Sequence, residues 1–417
     1  MRLVKLMANY LFFSVVFLFV SIITYSQENS PFSRYGIGDL SPQANIASRE
    51  MGGLSQTITS TQFINTVNPA SYGTIGLVTY DFALTIDSRS LLNKTPVGKY
   101  KSINFAPQYL QLGLPLNKKG LGLVFSIRPS TRINYDVLDG MRISYDDLGV
   151  TDSLQELHEG NGGLNQVFFG LGKTWKNKKK PTTSFSFGFN AGYEWGSKFI
   201  SNKVGFPSDS VYQAWYQSNS TDTTHFWGVF LNPGIMASFT LKETTDPLSK
   251  IKNSYVLVVG ASGSFDRELN ASRDITRETF FFKADGQAVP IDSVYRLADV
   301  RGQVNMPFSF NGGIMLNKML ANEYIKKWGI GIDYNFTPWS KYSDYGVPDQ
   351  LNDSWFLRTG IEFSPNPLGN SGVFSTGIYR FGYYTGKDFQ NADGNGYKVN
   401  AFTLGYQFNL RKYTSYD

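Results

Sequence analysis

Hydrophobic side chains recur at every second position over most of this chain, with polar or small residues between them. Phe402, Leu404 and Tyr406, for example, alternate with Thr403 and Gly405. Successive residues of a β-strand face opposite sides, so a period of two predicts long strands with one bulky apolar face and one small polar face. The same alternation is found in residues 121–128, 167–175, 185–195, 328–336 and 355–363.

The alternating segments predict twelve strands, joined by short and long connections in turn. The short connections are rich in turn residues, and the long ones are polar and are expected to be loops at 139–162, 201–223, 271–292, 343–352 and 389–395. An even number of strands puts both chain ends on the side of the short turns. The strands are predicted near 77–88, 101–116, 119–138, 163–176, 183–200, 224–243, 253–270, 293–318, 327–342, 353–365, 372–388 and 396–410.

The chemistry of the two strand faces distinguishes a soluble sheet from a transmembrane barrel. The small face carries Gly, Ser, Thr, Asn and Gln, which suits a hydrated lumen, whereas the bulky face suits lipid. Lipid offers the backbone no hydrogen-bond partners, so a sheet within it has to close on itself. Trp175, Trp328 and Trp339 lie near strand ends, as expected of an aromatic girdle at the membrane interfaces. We therefore predict an all-β fold, a transmembrane antiparallel β-barrel formed by residues 77–410.

The overall composition excludes several classes of protein. The 417 residues include 41 glycines and no cysteine, and 16% are aromatic but only 17% charged, against about 25% charged in the usual soluble domain. Without cysteine there is neither a thiolate nucleophile nor a cysteine metal site. The net charge of +6 is scattered, so we predict no binding to nucleic acid.

The first 26 residues have the pattern of a secretory signal peptide. Arg2 and Lys5 precede an apolar run over residues 11–23, which is short of the roughly 20 residues that a membrane-spanning helix needs. We predict cleavage after Ser26 and localisation in the outer membrane. At the other end, residues 411–417 are expected to form a short C-terminal tail.

Residues 27–76 do not alternate, and the sequence allows two structures for them. They form either a free periplasmic tail or a plug, the hatch, folded into the barrel. The segment contains several large apolar side chains, which makes it too apolar for a free tail and favours the hatch. These side chains are Phe32, Tyr35, Ile37, Met51, Phe63 and Ile64.

Two short stretches resemble the N-terminal hatch of the FadL/TodX outer-membrane family, in particular its Bacteroidota branch with PorV-like relatives. They are the Arg-x-Met-Gly-Gly of residues 49–53 and residues 65–71, which contain Asn68, Pro69 and Ala70. The resemblance implies that these last three are hatch residues, and it implies passive uptake of hydrophobic compounds such as long-chain fatty acids. PorV-like relatives serve protein secretion, so an accessory or scaffold barrel in a secretion or outer-membrane assembly complex is the alternative. The family barrel resembles fourteen strands, so 271–300 hides another pair, this barrel is smaller, or the sequence stops early.

Six charged residues are predicted to point into the lumen. Opposite charges inside a barrel usually brace the wall or anchor a plug. Alternatively, an arginine holds a carboxylate headgroup, because the planar guanidinium matches that geometry. The six are Arg128, Glu194, Asp333, Arg358, Glu362 and Arg380.

Asn232, Pro233 and Gly234 interrupt one of the predicted strands. A proline removes one ladder hydrogen bond and a glycine permits a bulge. The motif therefore indicates either an ordinary kink or a gap in the wall through which a hydrophobic ligand leaves sideways.

The sequence shows no group of residues with the pattern of a catalytic, cofactor or metal site. The only histidines, His158 and His225, fall in predicted loops or at a strand edge. We therefore predict a protein that is not an enzyme and has no cofactor. Its expected partners are outer-membrane lipid, hydrophobic small molecules or other proteins of an outer-membrane or secretion complex.

Overall fold

The computed structural model describes residues 29–94, 97–145, 150–180, 182–205, 217–245, 252–282, 288–320, 325–368, 372–392 and 395–408. The predicted signal peptide and the predicted C-terminal tail lie outside these residues.

The described chain consists almost entirely of antiparallel strands, as predicted. Fifteen strands are longer than two residues: β1 Thr79–Lys94, β2 Val97–Asn117, β3 Leu121–Pro129, β4 Thr131–Tyr145, β5 Val150–Lys176, β6 Ser184–Gly205, β7 Gln217–Thr245, β8 Lys252–Ser264, β9 Arg267–Phe282, β10 Ala288–Met306, β11 Ser309–Leu320, β12 Ile325–Thr337, β13 Ser354–Phe363, β14 Ile378–Ala392 and β15 Asn395–Gln407.

These fifteen strands form twelve wall strands, because three of the wall strands are each broken into two. The pairs β3 and β4, β8 and β9, and β10 and β11 are each separated by one or two residues and continue one another along the wall. Every wall strand pairs in antiparallel fashion with the next one along the chain. The described strands thus form the smaller of the two predicted barrels.

Four of the predicted long loops are wrong, because most of their residues extend the neighbouring strands. In 389–395, Asn391 and Ala392 of β14 pair with Gly396 and Asn395 of β15. The ladder of β4 and β5 runs through 139–162, β6 and β7 extend into 201–223, and β9 and β10 cover much of 271–292. The described residues of 271–300, which are 271–282 and 288–300, lengthen two existing wall strands and add no new pair. Pairing with the adjacent strand stabilises these extensions, which carry no apolar alternation.

The two faces of the strands differ as the alternation predicted. In β12, Ile332 is 44% exposed and the next residue, Asp333, is 1% exposed. Phe185 and Phe187 on β6 are likewise exposed on either side of the buried Ser186. The bulky apolar side chains point outward and the small or polar ones inward, which confirms the barrel.

Closure of the ring differs from the expectation of a continuous ladder. Among the residues that the structure describes, no backbone ladder joins β1 to β15. Residues 29–76, which we call the N-terminal segment, contact both of these strands and glycines of the other wall strands. Arg49 donates to Thr85 of β1, and Thr403 of β15 donates to the carbonyl of Glu50.

The helical elements are all short. They are the 3-10 turns Pro31–Arg34, Pro69–Thr74 and Trp339–Lys341 and the helices α1, Ile46–Arg49, and α2, Val373–Thr376. None of the helices in the described ranges has the length and apolarity that crossing a membrane requires.

The prediction that Trp339 belongs to an aromatic girdle is wrong. Its side chain is only 5% exposed, and its ring stacks on Phe389 with 4.7 Å between centroids. It belongs to an internal apolar cluster with Ile37 and Tyr342. Trp175, in contrast, is half exposed on the outer face.

Candidate functional site: the wall around the N-terminal segment

The Asn-Pro-Ala motif shapes the N-terminal segment and attaches it to the wall. Asn68 caps the turn Pro69–Thr74, because its Oδ1 accepts the backbone N–H of Ala70 at 3.1 Å. Pro69 occupies the first position of the turn, where no N–H is needed. The Nδ2 of Asn68 donates to the carbonyls of Gln56 (2.7 Å) and of Ile235 on β7 (3.1 Å). One side chain thus joins two parts of the segment to the barrel.

A belt of eleven glycines surrounds the N-terminal segment. Each wall strand after β1 contributes one, and a Cβ added at any of them would lie 3.1 Å or less from an atom of the segment. At Gly360 that atom is the carbonyl oxygen of Met51, and at Gly382 it is the backbone nitrogen of Gly52. The glycine belt consists of Gly113, Gly122, Gly172, Gly188, Gly234, Gly260, Gly313, Gly331, Gly360, Gly382 and Gly405.

The glycine belt changes the interpretation of the small inner face. We expected these glycines to line a hydrated lumen, but at this level protein lies against them. Only glycine lets two backbones approach so closely. Tyr72 of the segment is fully buried here and donates to Oδ1 of Asn190 at 2.7 Å. Burial raises the pKa of its phenol far above the usual range, so the group stays protonated and keeps its donor.

Two of the predicted lumen charges hold the stretch of segment that follows α1. Oδ2 of Asp333 accepts the backbone N–H groups of Ser55 (2.6 Å) and Gln56 (2.9 Å). Nη1 of Arg358 donates to the carbonyl of Gly52 at 3.2 Å. Hydrogen bonds that involve an ionised group are stronger than neutral ones, so these contacts fix backbone that has no regular structure.

Two further lumen charges hold the segment elsewhere. Nη1 of Arg128 donates to the carbonyl of Gln43 (3.1 Å) and to Oγ1 of Thr66 (3.0 Å). Nη1 of Arg380 lies 2.9 Å from Oε2 of Glu50. Four of the six predicted charges therefore contact the N-terminal segment directly.

The other two lumen charges balance cations of the wall. Glu194 accepts from Arg267 at 2.7 Å, and Glu362 accepts from Lys326 at 2.5 Å and from Arg380 at 3.4 Å. All these side chains are largely removed from water, and an unpaired charge in such a buried place would destabilise the fold. The sequence did not point to Arg267 or Lys326, because their partners are 73 and 36 residues away.

Asn232, Pro233 and Gly234 lie opposite a real interruption of the sheet. On one side of β7 the ladder to β6 continues through Pro233, which pairs with Phe189. On the other side the paired residues stop at Trp227 and resume at Gly234, where β8 and β9 are separated. The motif thus coincides with a discontinuity between two wall strands.

A second interruption was not apparent from the sequence. The ladder between β2 and β3 ends at Leu110 and Ile127, and beyond Ser130 the strand β4 no longer pairs with β2. The two-residue strand Asp39–Leu40 of the N-terminal segment pairs with β4 instead. The backbone of Ser130 itself bonds to Ser41 and Leu164.

A cavity of about 200 Å³ lies at the level of these interruptions. It is bounded by the N-terminal segment on one side and by the wall on the other. Most of the side chains that line it are polar, including Ser41, Arg128, Asn232 and Arg267.

Both histidines lie in strand ladders, His158 on β5 and His225 on β7. Nδ1 of His158 lies 2.7 Å from Oδ1 of Asn202, and His225 is paired within the sheet. Within the described ranges, no three His, Asp or Glu side chains converge as ligands of a metal ion.

Comparison with solved structures finds similar folds among outer-membrane channels of the FadL/TodX type. The CymD monoaromatic hydrocarbon channel is 13% identical, with 90% of both chains covered and a TM-score of 0.44. The Ralstonia pickettii toluene transporter TbuX is 14% identical, with 90% of this chain and 91% of that chain covered and a TM-score of 0.46. The Pseudomonas putida toluene transporter TodX is 14% identical, with 90% of both chains covered and a TM-score of 0.45.

No curated protein sequence matches this chain. A family model does match it, over residues 7–415, which is nearly the whole sequence. That family is described as BamG, and the chain belongs to the BamG family.

Proposed function

We propose that this protein is an accessory barrel of an outer-membrane complex that assembles or secretes proteins, and that its N-terminal segment is a hatch filling the lumen. The glycine belt carries the proposal. Each wall strand from β2 to β15 approaches the segment so closely that a single methyl group would collide with it. Membership of the BamG family fits association with an outer-membrane complex.

The polar cavity beside the N-terminal segment is poorly suited to a hydrophobic compound. Pockets for such ligands usually have about 300–1,000 Å³ and are lined mainly by apolar side chains. The cavity here has about 200 Å³, and Arg128 and Arg267 line it. If the lumen is filled, a partner protein can bind only the outer wall and the hairpins that project from it. The hairpin of β9 and β10 extends furthest past a break in its wall strand.

Purification of the tagged full-length chain from native outer membranes tests the proposal. We expect other outer-membrane proteins of an assembly or secretion complex to co-purify in fixed ratio in mild detergent. Depletion of the chain should lower the amounts of unrelated outer-membrane barrels. A monomer that carries hydrophobic molecules, together with unchanged amounts of other barrels after depletion, would contradict an accessory role.

A channel for hydrophobic compounds such as long-chain fatty acids is the second candidate. One observation favours it: two parts of the wall lack backbone pairing between neighbouring strands. One lies between β4 and the part of β2 that precedes Leu110, and the other lies beside Pro233. Such interruptions offer a sideways route into the membrane. If the protein is a channel, vesicles that contain it should take up oleate or toluene faster than empty vesicles do.

The Pro233→Ala variant tests the route beside that residue, because alanine restores a backbone N–H to the strand. Slower uptake by this variant would support an exit at the interruption. Gly140→Ala is the matched control, since no atom lies within 4 Å of a Cβ added there. Equal uptake by wild type and Pro233→Ala, both faster than empty vesicles, would eliminate this exit. Wild-type uptake no faster than that of empty vesicles would eliminate the channel itself.

A further inference from the structure

The wall is open between its first and last strands, β1 and β15, which we call the edge strands. Among the residues that the structure describes, no ladder joins the two, and along nearly all of their length their Cα atoms lie more than 8 Å apart. Residues that face each other in a ladder are about 4.5–5.5 Å apart. Each edge strand is therefore paired on one side only, and about half of its backbone N–H and C=O groups point away from its ladder.

An open edge within a membrane needs a peptide as its partner. Lipid cannot form hydrogen bonds with backbone groups, so membrane-spanning strands have to be paired on both sides. A lipid chain or a small hydrophobic molecule would leave the edge unpaired. A further strand, in contrast, provides donors and acceptors at the spacing of the ladder. The chemistry of the edge therefore selects a polypeptide in extended conformation.

The exposure of outward side chains rises toward β15. Ile361 on β13, Phe381 on β14 and Leu404 on β15 form one row across paired strands, and they are 46%, 52% and 75% exposed. Phe402 on β15 is 85% exposed, and Tyr80 on β1 is 76% exposed. Side chains on a sheet are normally covered by neighbours on both adjacent strands. The rise thus marks where a neighbouring strand with bulky outward side chains is missing.

The N-terminal segment contacts the edge strands on their other face. The backbone N–H of Gly52 donates to Oγ1 of Thr403 on β15 at 2.8 Å. The backbone N–H of Ile64 donates to Oδ2 of Asp81 on β1 at 3.3 Å. Both contacts engage side chains of the edge strands, so they fasten the segment without replacing a ladder.

The edge of β15 lacks the features with which proteins protect an open edge from pairing. Those features are charged residues, prolines and β-bulges. Residues 399–407 contain no charged residue and no proline. The register shift in the ladder to β14 lies outside them, between Lys387 and Asn391. This edge is therefore suited to pairing with a further strand.

We propose that β15 pairs edge to edge with a membrane-spanning strand of another outer-membrane protein. Bulky apolar residues of the partner strand cover Phe402 and Leu404 on the outward face, and small or polar residues alternate with them beside Thr403. The proposal rests on the accessory role proposed above and names the surface through which the barrel joins its complex.

Photocrosslinking in native outer membranes locates the contact. The full-length chain carries p-benzoylphenylalanine in place of Phe402. Phe169 is the matched control, because it is an exposed outward phenylalanine on β5, which is paired on both sides. We expect one protein adduct from position 402, with a yield about ten-fold above that from position 169, where lipid is the neighbour.

Hydrogen exchange tests whether the contact is made by the backbone. We expect the amides of β15 to exchange about ten-fold more slowly in the complex purified from native membranes than in the purified chain alone. Peptides of β6, which is paired on both sides, should exchange equally in the two samples. Support for the proposal requires both the adduct and the slower exchange.

The proposal is overturned, while the accessory role stands, if partner proteins co-purify but position 402 gives no adduct or the exchange of β15 is unchanged. The complex then forms through another surface. An adduct that contains only a second copy of this chain also overturns it, because it identifies a homodimer. Protection of β1 and β15 equal to that of β6 in the purified chain overturns it as well, because the edge strands then pair with each other. If no partner co-purifies, the accessory role and this proposal fail together.

Discussion

Arg49 and Glu50 are consecutive residues, yet they bind the first and the last strand of the barrel. Nη1 of Arg49 donates to Oγ1 of Thr85 on β1 at 3.1 Å. Oε2 of Glu50 pairs with Arg380 on β14 at 2.9 Å, and its carbonyl accepts from Thr403 on β15 at 2.8 Å. The N-terminal segment thus links the two edges of the sheet from inside.

The junction between β1 and β15, which we call the seam, is expected to contain backbone amides that exchange hydrogen faster than those elsewhere in the wall. In the described residues, β1 and β15 each have a paired neighbour on one side only, whereas β6 is paired on both sides. An unpaired N–H lacks the protection that a ladder provides. Hydrogen exchange with mass spectrometry in nanodiscs measures this, with peptides of β6 as the internal control. Equal protection of β1, β15 and β6 would show that the seam is closed in the membrane.

The glycine belt predicts that small substitutions on the inner face are harmful. Gly382→Ala places a methyl group against the backbone of Met51 and Gly52. We expect a loss of about 1–3 kcal/mol in the free energy of unfolding, as is typical of overpacking. Urea unfolding of the folded barrel in detergent micelles measures the loss. Gly140→Ala, which meets no neighbouring atom, should unfold like wild type, and equal midpoints for both variants would disprove the close approach.

Asn68→Asp separates the two roles of this side chain. The aspartate retains the acceptor for the N–H of Ala70 but cannot donate to the carbonyls of Gln56 and Ile235. We expect a loss of about 1–3 kcal/mol, because two buried acceptors lose their partner. The N-terminal segment should also become more accessible to protease. Asn270→Asp, at an exposed position, is the control, and a variant as stable and as resistant as that control would remove Asn68 from the attachment.

Two arginine substitutions test which part of the wall lies in lipid. Ile332→Arg puts a charge on the outer face of β12, and we expect it to cost about 2–4 kcal/mol if this level is near the membrane centre. Val294 is on the stretch of β10 whose residues are exposed on both faces, which indicates water on both sides. Val294→Arg should therefore assemble normally. Heat-modifiable migration in gels measures folded barrel for both variants, and equal assembly would place both residues outside the lipid.

The alternation of apolar and polar residues was sufficient to predict the barrel, the outward face of each strand and the number of wall strands. Ile332 and Asp333 illustrate the reason: neighbouring residues on a strand always face opposite sides, so a local pattern reports the environment on each side. The Asn-Pro-Ala motif was recognised only through its resemblance to a known family. The turn that Asn68 caps is nevertheless local, because it depends on consecutive residues.

Strand ends and inner contacts were decided by the tertiary structure alone. The extensions of β4, β5, β9 and β10 have no apolar pattern, since they are stabilised by pairing with a neighbour and not by burial of one face. Gly382 and Gly52 are 330 positions apart, as are Arg380 and Glu50. A sequence shows which residues are small or charged, but which of them meet depends on how twelve strands curve around one segment, and that arrangement exists only in the folded chain.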